Sequence, residues 1–259
     1  MSTPNNATQL HLMNPLTRFC DRASDYAKYR PSYPDEAIQV ILQGLPSQIV
    51  AADIGAGTGI SSRLLAQQGV KVIAIEPNAA MRQAAESHQL VEFWDGTAEA
   101  TCLPNNSVNL VTCFQSFHWF NPETTLEEFH RILQPSGRLA LVWNERDRQD
   151  AFTAEYIQLI SEVSNHHPIE SLRLKSVEPL FATPYFVNIQ KHEFAYKQAL
   201  DLSGLIGCAS SVSYVSREES AQQYLITKLQ ELYNRSCDKQ GLIYIVYRTS
   251  IYLAEPQIN

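Results

Sequence analysis

Residues 49–76 constrain the fold of this chain more than any other stretch. They read IVAADIGAGTGISSRLLAQQGVKVIAIE: an apolar run that ends in Asp53, a glycine-rich turn, a helical pattern, and a second apolar run that ends in Glu76. This order predicts a strand, a loop, a helix and a second strand parallel to the first. Parallel strands need helices on both faces of their sheet, so the stretch predicts an α/β fold.

Apolar runs and helical patterns continue to alternate after this unit. Further strands are predicted at residues 91–94, 108–114, 138–143, 186–194 and 242–253. Helices are predicted at residues 35–45, 79–87, 121–133, 152–163 and 221–233. The first five strands are nearly continuous apolar runs, whereas the last two show partial alternation, as expected towards a sheet edge. The pattern predicts a doubly wound, seven-stranded, mostly parallel sheet with strands six and seven antiparallel at one edge.

The distribution of these elements predicts three parts of the chain. Residues 1–34 are expected to form an N-terminal arm or lid, and residues 35–145 the core of the sheet. Residues 146–259 would complete the sheet and carry a helical cap, in segments at about 146–181 and 195–240. These connections are far longer than a hairpin needs, and long connections beside a binding crevice often form lids.

Charge and cysteine usage limit the classes of partner. The net charge of −7 over 259 residues argues against nucleic acid or an anionic membrane as the main partner. The five cysteines are scattered, without a CxxC pair or a histidine at metal-ligand spacing, so no metal is expected. An odd number of scattered cysteines suggests reduced thiols in a cytoplasm. The start of the sequence does not resemble a leader, and there is no apolar run of about 18 residues. Neither export nor a membrane span is therefore suggested, and we expect a cytoplasmic protein.

The glycine-rich turn predicts a nucleoside site. Glycines at positions 55, 57 and 59 let the backbone turn sharply and approach a ligand closely, and the following helix begins with free amides. Glu76, at the tip of the second strand, is placed to accept the hydroxyl protons of a ribose. The alternative is a purely structural tight turn. A dinucleotide fingerprint has the spacing GxGxxG, and Gly59 comes one residue early, which counts against NAD.

Several motifs in this chain match one enzyme family. AADIGAGTG resembles motif I of class I S-adenosylmethionine (SAM)-dependent methyltransferases, IEPNAAM resembles their motif II, and GTAEATCLPNNSVNLVTC is similar to the segment that runs into their fourth strand. The match corresponds to a methyltransferase type 11 domain with a Rossmann-like fold. The segments FCDRASDYAKYRPSYP and QSFHWF are similar to the trans-aconitate methyltransferase-like branch of that family.

The resemblance implies a set of cofactor-binding residues. In the family the glycine loop wraps the amino-acid end of SAM, the acid after the second strand holds the ribose, and the residues after the third strand contact the adenine. Thr97 stands where many relatives have an adenine-binding Asp, so backbone contacts at Thr97 and Ala98 are expected instead. The implied cofactor-binding residues are Asp53, Gly55, Ala56, Gly57, Thr58, Gly59, Glu76, Pro77, Met81, Thr97, Ala98 and Gln115.

The resemblance also suggests catalytic and acceptor-binding residues. His118 follows the fourth strand and is a candidate general base or pocket residue, although local packing explains it equally well. Arg146 and Arg148 follow the fifth strand and are candidates to clamp an acidic acceptor, with a solvated charged loop as the alternative. The remaining candidates for contacts with the acceptor, or for a lid, are Tyr26, Tyr29, Arg30, Ser116, Phe117, Trp119 and Tyr214.

The function implied is methyl transfer from SAM to a small molecule, at a carboxylate or hydroxyl oxygen. SAM carries an activated methyl group, so the protein needs to align the reactants rather than supply a nucleophile. A SAM-binding protein without turnover and an NAD-dependent oxidoreductase remain as alternatives. The motifs leave open the identity of the acceptor and the oligomeric state.

Overall fold

The computed structural model describes residues 27–164, 176–212 and 214–258. Tyr26 and the rest of the predicted arm before it lie outside the described residues. One seven-stranded sheet has the order β3-β2-β1-β4-β5-β7-β6. Its strands are β1 Val50–Ile54, β2 Lys71–Ile75, β3 Val91–Trp94, β4 Val108–Phe114, β5 Leu133–Arg146, β6 Phe186–Leu200 and β7 Ile243–Pro256. Strands β1 to β5 pair in parallel, and β7 runs antiparallel to both β5 and β6. The predicted seven-stranded α/β fold is confirmed.

Helices cover both faces of this sheet. They are α1 Asp35–Leu42, α2 Ile60–Gln67, α3 Ala79–Gln83, α4 Pro122–Ile132, α5 Ala151–Glu162, α6 Glu178–Ala182, α7 Leu202–Ser210 and α8 Glu219–Ser236. Two apolar clusters fill the two faces: one includes Leu126 and Phe129 of α4, and the other Ile38 and Ile41 of α1. Residues alternate between the faces along each parallel strand, and both sets are buried, which explains the nearly continuous apolar runs.

A third apolar cluster joins α5, α7 and α8 to the outer part of the sheet. It contains Tyr156 of α5, Leu205 of α7 and Leu229 of α8, packed with Ile245 and Tyr247 of β7. These helices follow β5 and β6, whose carboxyl ends lie at the same edge of the sheet as the ends of β1 and β4. The cluster therefore builds a helical layer beside the edge where α/β sheets bind ligands.

The structure corrects two boundaries. Strand β6 extends to Leu200, so residues 195–200 belong to the sheet rather than to the predicted cap, because their ladder with β7 continues to Ile243. Strand β5 begins at Leu133 and ends at Arg146, well beyond the predicted 138–143. The Pro-Ser-Gly sequence at 135–137 was expected to precede this strand. It is instead accommodated as extra residues within β5, because the ladder steps from Val108 opposite Leu133 to Leu110 opposite Arg138. The longer strand carries Arg146 to the ligand edge of the sheet.

Strand β1 lies where the strand order reverses, between β2 on one side and β4 on the other. A crevice opens at such a switch point, outside the carboxyl ends of the strands. The loops that follow β1, β2 and β4 all meet there. None of the described helices is long and apolar enough to cross a membrane.

Candidate functional site

The glycine-rich loop after β1 has the backbone that its sequence predicts. Gly55, Gly57 and Gly59 have φ angles of 67°, 60° and 73°, the left-handed region that side chains disfavour. A Cβ atom on Gly55 would lie 2.7 Å from the Cβ of Ser116 and 2.9 Å from the ring of Phe120. The loop therefore packs tightly on the segment that follows β4, and Gly59 forms the N-cap of α2.

Asp53 holds the loop to the first turn of α2. Its carboxylate accepts hydrogen bonds from the hydroxyls of Ser61 and Ser62, both at 2.6 Å, and of Thr112 on β4 at 2.8 Å. Asp53 is fully buried, so these three bonds replace its hydration. This contact suits the expected role in aligning the loop. Sequence reasoning had not singled out Ser61 and Ser62, although two serines in the first turn of the helix after a glycine loop are potential partners for such a carboxylate.

Burial raises the pKa of Asp53 above its ordinary value of 3.8, and the three hydroxyl bonds only partly oppose this. The folded protein therefore retains this proton to a higher pH than the unfolded chain, and deprotonation on raising the pH reduces stability. We expect the free energy of unfolding of the wild type to fall as the pH is raised above about 4. In Asp53→Asn, which cannot lose this proton, the fall should be less steep. Urea unfolding at several pH values measures both slopes. Equal slopes would contradict this account of Asp53.

Glu76 lies at the tip of β2, facing the glycine loop. Its Oε2 accepts from the Gly57 amide at 2.8 Å and its Oε1 from the Asn78 amide at 2.9 Å. A carboxylate has about four acceptor positions, so each oxygen keeps one for a ligand hydroxyl. The side chain is only 8% exposed, and burial raises the pKa of Glu76 above its ordinary value. A buried, backbone-braced carboxylate with unused acceptor positions suits a ribose diol.

The residues expected around the adenine follow β2 and β3, which end at the same edge of the sheet as β1. Pro77 and Asn78 follow Glu76, and Asn78 caps α3 by accepting from the amide of Met81, which is buried. After β3, Thr97 and Ala100 exchange backbone hydrogen bonds of 3.2 and 3.3 Å and form a tight turn that buries Ala98. These contacts fix both segments at that edge of the sheet, although none of their residues lines either described cavity. Their contact with an adenine stays a prediction.

Two adjoining cavities lie at this edge. A small one, of about 50 Å³, is lined by the glycine loop and includes Thr58 and Gln115. A larger one, of about 410 Å³, lies beyond the end of β5. Arg30, Pro31 and Gln115 line both cavities and form their common boundary. Within the part of the chain that the structure describes, the buried Thr58 Oγ1 and Gln115 Oε1 find no hydrogen-bond partner, which suits a polar ligand at the loop.

The larger cavity has a predominantly positive lining. Arg30, Arg146, Arg148 and Arg248 contribute guanidinium groups, and Glu145 and Asp147 contribute carboxylates. The guanidinium carbon of Arg146 lies 5.0 Å from the centre of the Tyr156 ring, a cation–π contact beneath the cavity. Tyr214, a sequence-predicted candidate, lines the same cavity. An anionic small molecule fits this lining.

Four candidates from the segment after β4 lie elsewhere. Ser116 donates to the Ile54 carbonyl at 2.7 Å and supports the glycine loop from below. Phe117 belongs to the core, and Trp119 is buried against the His118 ring. In none of the described cavities is Ser116, Phe117, His118 or Trp119 a lining residue. The prediction that they contact an acceptor is not supported, because a 3₁₀ turn at Phe117–Trp119 directs them into the core.

The geometry of His118 argues against a general base. The side chain is 4% exposed, and its Nδ1 accepts from the Trp143 indole nitrogen at 3.4 Å. This bond assigns the ring proton to Nε2 and occupies the lone pair that a base would use. Trp143 itself lines the larger cavity, so His118 supports its wall from behind.

Sequence reasoning also missed residues that the structure brings to the larger cavity. Tyr247 and Arg248 come from β7, which pairs with β5 so that Arg146 faces Tyr247 and Glu145 faces Arg248. Cys208 and Val212 come from α7 and the turn after it. A tyrosine and an arginine at the start of the last strand were visible in the sequence, but nothing local indicated which strand they would join. Among the described residues, no group of three or more His, Cys, Asp or Glu side chains could hold a metal ion.

Comparison with known proteins agrees with this geometry. The methyltransferase domain family model matches residues 52–141, the part that carries the glycine loop and Glu76. An uncharacterised methyltransferase of Mycobacterium tuberculosis is 35% identical over 191 residues, which cover 73% of this chain and 74% of that protein. One from Schizosaccharomyces pombe is 31% identical over 208 residues, covering 78% of this chain and 82% of its own length.

Solved structures show the same fold. A structure from Anaeromyxobacter dehalogenans, assigned as a type II methyltransferase, superposes with a TM-score of 0.69 at 19% identity and covers 88% of this chain and 98% of its own. These sequence matches cover more of the chain than the domain that the family model matches. On the sequence matches and the loop geometry together, this chain belongs to the SAM-dependent methyltransferases that share the methyltransferase domain.

Proposed function

We propose that this enzyme transfers the methyl group of SAM to a small acidic molecule, at a carboxylate or hydroxyl oxygen. The observation that carries the proposal is the arginine-lined cavity of about 410 Å³, which adjoins the glycine loop and shares Arg30, Pro31 and Gln115 with it. Its size lies in the range of small-molecule sites. Membership of the family indicates the type of reaction, and the arginines that line this cavity favour an acidic acceptor.

The residues present fit SAM. The left-handed glycine loop and Thr58 would receive its amino-acid end, Glu76 would accept from its ribose hydroxyls, and Met81 with the 97–98 backbone would flank its adenine. When bound, SAM supplies a methyl group already activated by a sulfonium. The chain then has to hold the acceptor oxygen in line with that methyl and exclude water, which contributes on the order of 7–11 kcal/mol in well-oriented systems.

The arginines of the larger cavity favour an anionic acceptor. A guanidinium binds a carboxylate through parallel hydrogen bonds, and such charge-assisted bonds are about twice as strong as neutral ones. A carboxylate oxygen is already deprotonated near neutral pH, so its methylation needs no general base. This agrees with a His118 side chain whose Nδ1 lone pair is taken by Trp143.

Calorimetry with S-adenosylhomocysteine (SAH), with NAD as the comparison ligand, tests the cofactor. Transfer of labelled methyl from SAM to single carboxylic acids, hydroxy acids, phenols and amines, each with and without enzyme, tests the acceptor class. We expect SAH to bind, NAD not to bind, and label to appear in acids or hydroxy acids. Label confined to amines would refute the acceptor class, and SAH binding without any transfer would favour a SAM-binding protein without turnover.

Replacement of His118 separates a base from a supporting residue. Because its Nδ1 accepts from Trp143, we expect His118→Asn to keep kcat within about threefold of wild type on an acceptor found in that screen. A general base contributes roughly 100-fold or more, so the two roles differ clearly. A kcat that falls by two orders of magnitude, with an unchanged melting temperature, would restore His118 as the base.

A further inference from the structure

The segment at residues 29–33 carries Arg30 and Pro31, which line both cavities, and it is fixed by three different elements. Gln198 of β6 donates to the Tyr29 carbonyl at 2.9 Å. Asn144 of β5 donates to the Ser32 carbonyl at 2.9 Å. Arg30 reaches in the other direction and donates to the Ser211 carbonyl, at the C-cap of α7, at 3.0 Å. The position of this segment therefore depends on α7 as well as on the sheet.

The 29–33 segment contacts α7 through the Tyr29 ring, which packs on the backbone of Gly207. A Cβ atom on Gly207 would lie 2.4 Å from two carbons of the Tyr29 ring and 2.6 Å from a third. Real Cβ atoms essentially never lie so close to non-bonded heavy atoms. The Tyr29 ring therefore occupies the space that any side chain at 207 would need. Gly207 is not among the residues with positive φ, so its backbone does not require glycine.

Glycine inside a helix is unfavourable compared with alanine. The presence of Gly207 in α7 is therefore accounted for by the ring that it admits. The neighbouring Cys208 lines the larger cavity, so the contact lies directly beside it.

We propose that Gly207 is a positioning residue for both ligand sites: it seats the Tyr29 ring and thereby fixes Arg30 and Pro31 between the cofactor loop and the acceptor cavity. This inference rests on the proposed function for the identity of the ligands. A side chain at 207 displaces Tyr29, and the displacement moves the boundary that the two cavities share. Binding at the cofactor loop consequently depends on a glycine in the C-terminal helical layer.

The test is Gly207→Ala, with Gly204→Ala as the matched control in the same helix. The three atoms nearest to a Cβ at 204 belong to Leu200 and Asp201, at 3.0–3.4 Å, so this change adds a methyl group to the same helix away from the Tyr29 ring. We expect Gly207→Ala to raise the dissociation constant of SAH about tenfold by calorimetry, and Gly204→Ala to leave it within about twofold. SAH affinity unchanged in Gly207→Ala, or equally weakened in both variants, would overturn the proposal.

A double-mutant cycle identifies the contact itself. Tyr29→Ala removes the ring, so we expect it to weaken SAH binding on its own, and adding Gly207→Ala should cause no further loss. Losses that add would show that Gly207 acts through something other than Tyr29. Should Gly207→Ala not fold, Tyr29→Ala alone still decides, because unchanged SAH affinity in that variant contradicts the proposal.

The rate of Cys208 alkylation tests the position of Tyr29 without any ligand. Cys208 is 1% exposed at the cavity, whereas Cys113, fully buried on β4, reports global opening. Iodoacetamide labelling followed by peptide mass spectrometry should be faster at Cys208 in Tyr29→Ala than in wild type, with Cys113 unchanged. Equal Cys208 rates would overturn the seating of Tyr29, whereas failure of wild type to bind SAH would refute the proposed function alone.

Discussion

Glu76→Ala is expected to weaken SAH binding by roughly 100-fold or more. Each ribose hydroxyl that donates to a carboxylate contributes about 1.5–3 kcal/mol, and this variant removes both acceptors at once. Binding measured by calorimetry reports the loss directly. The Gly57 and Asn78 amides also lose their acceptor, so the melting temperature should fall, and binding is measured well below it.

The matched control for this prediction is Glu92→Ala. Glu92 is an exposed glutamate on the neighbouring strand β3, so its removal changes the net charge equally without touching the crevice. SAH affinity should remain at the wild-type level there. Affinity retained in Glu76→Ala would refute the ribose role and leave the carboxylate as a brace for the Gly57 and Asn78 amides.

The same carboxylate predicts a pH dependence of binding. Burial raises its pKa above the ordinary 4.5, so protonation begins at a higher pH than for an exposed glutamate. A protonated carboxyl has lost acceptor capacity towards the ribose. SAH affinity should therefore fall as the pH is lowered towards the raised pKa, and should be less sensitive to pH in Glu76→Gln. An affinity independent of pH down to 4.5 would contradict this.

Arg146→Met is expected to lower kcat/KM for the acceptor by roughly 30–100-fold, since a charge-assisted hydrogen bond contributes about 1.5–3 kcal/mol. Arg146 ends β5, lies on the Tyr156 ring and lines the larger cavity, so its charge is held at a fixed place there. Methionine keeps most of the length and apolar contact of the side chain. The KM for SAM should stay within about twofold of wild type.

Two further arginines control for charge. Arg148 lines the same cavity but is exposed, so Arg148→Met should cost less than Arg146→Met. Arg235 pairs with Glu155 on the outer surface of α8 and α5, and Arg235→Met should leave the kinetics unchanged. If Arg146→Met has kcat/KM equal to that of Arg235→Met, Arg146 does not hold the acceptor, and the acidic class loses its main support.

The sequence predicted the conformation of the glycine loop because this part of the chain is built locally. Asp53, the glycine loop and Glu76 lie within one βαβ unit, where strand ends and helix start are fixed by residues close together in the chain. Their spacing therefore carries the geometry. The partners of Asp53 were missed because hydroxyl donors on a helix look like ordinary polar residues until the helix is placed.

The segment after β4 shows the limit of arguments from position alone. Its sequence place at the carboxyl edge of the sheet suggested acceptor contacts for His118, Trp119 and their neighbours. A single 3₁₀ turn at Phe117–Trp119 instead buries them. Periodicity does not specify so short a turn, since three residues fit many patterns.

What the sequence by itself determined was the α/β fold and the glycine-rich loop, both consequences of local order along the chain, most clearly along residues 49–76. The link to SAM came from the family resemblance of the motifs. Only the tertiary structure decided the larger cavity. It required β7 to insert antiparallel between β5 and β6, which brings Arg248 beside Glu145 across about a hundred residues of chain. It also required Gly207 of α7 to pack against the Tyr29 ring. Contacts of such long range depend on which surfaces pack together, and no local pattern of residues encodes that choice.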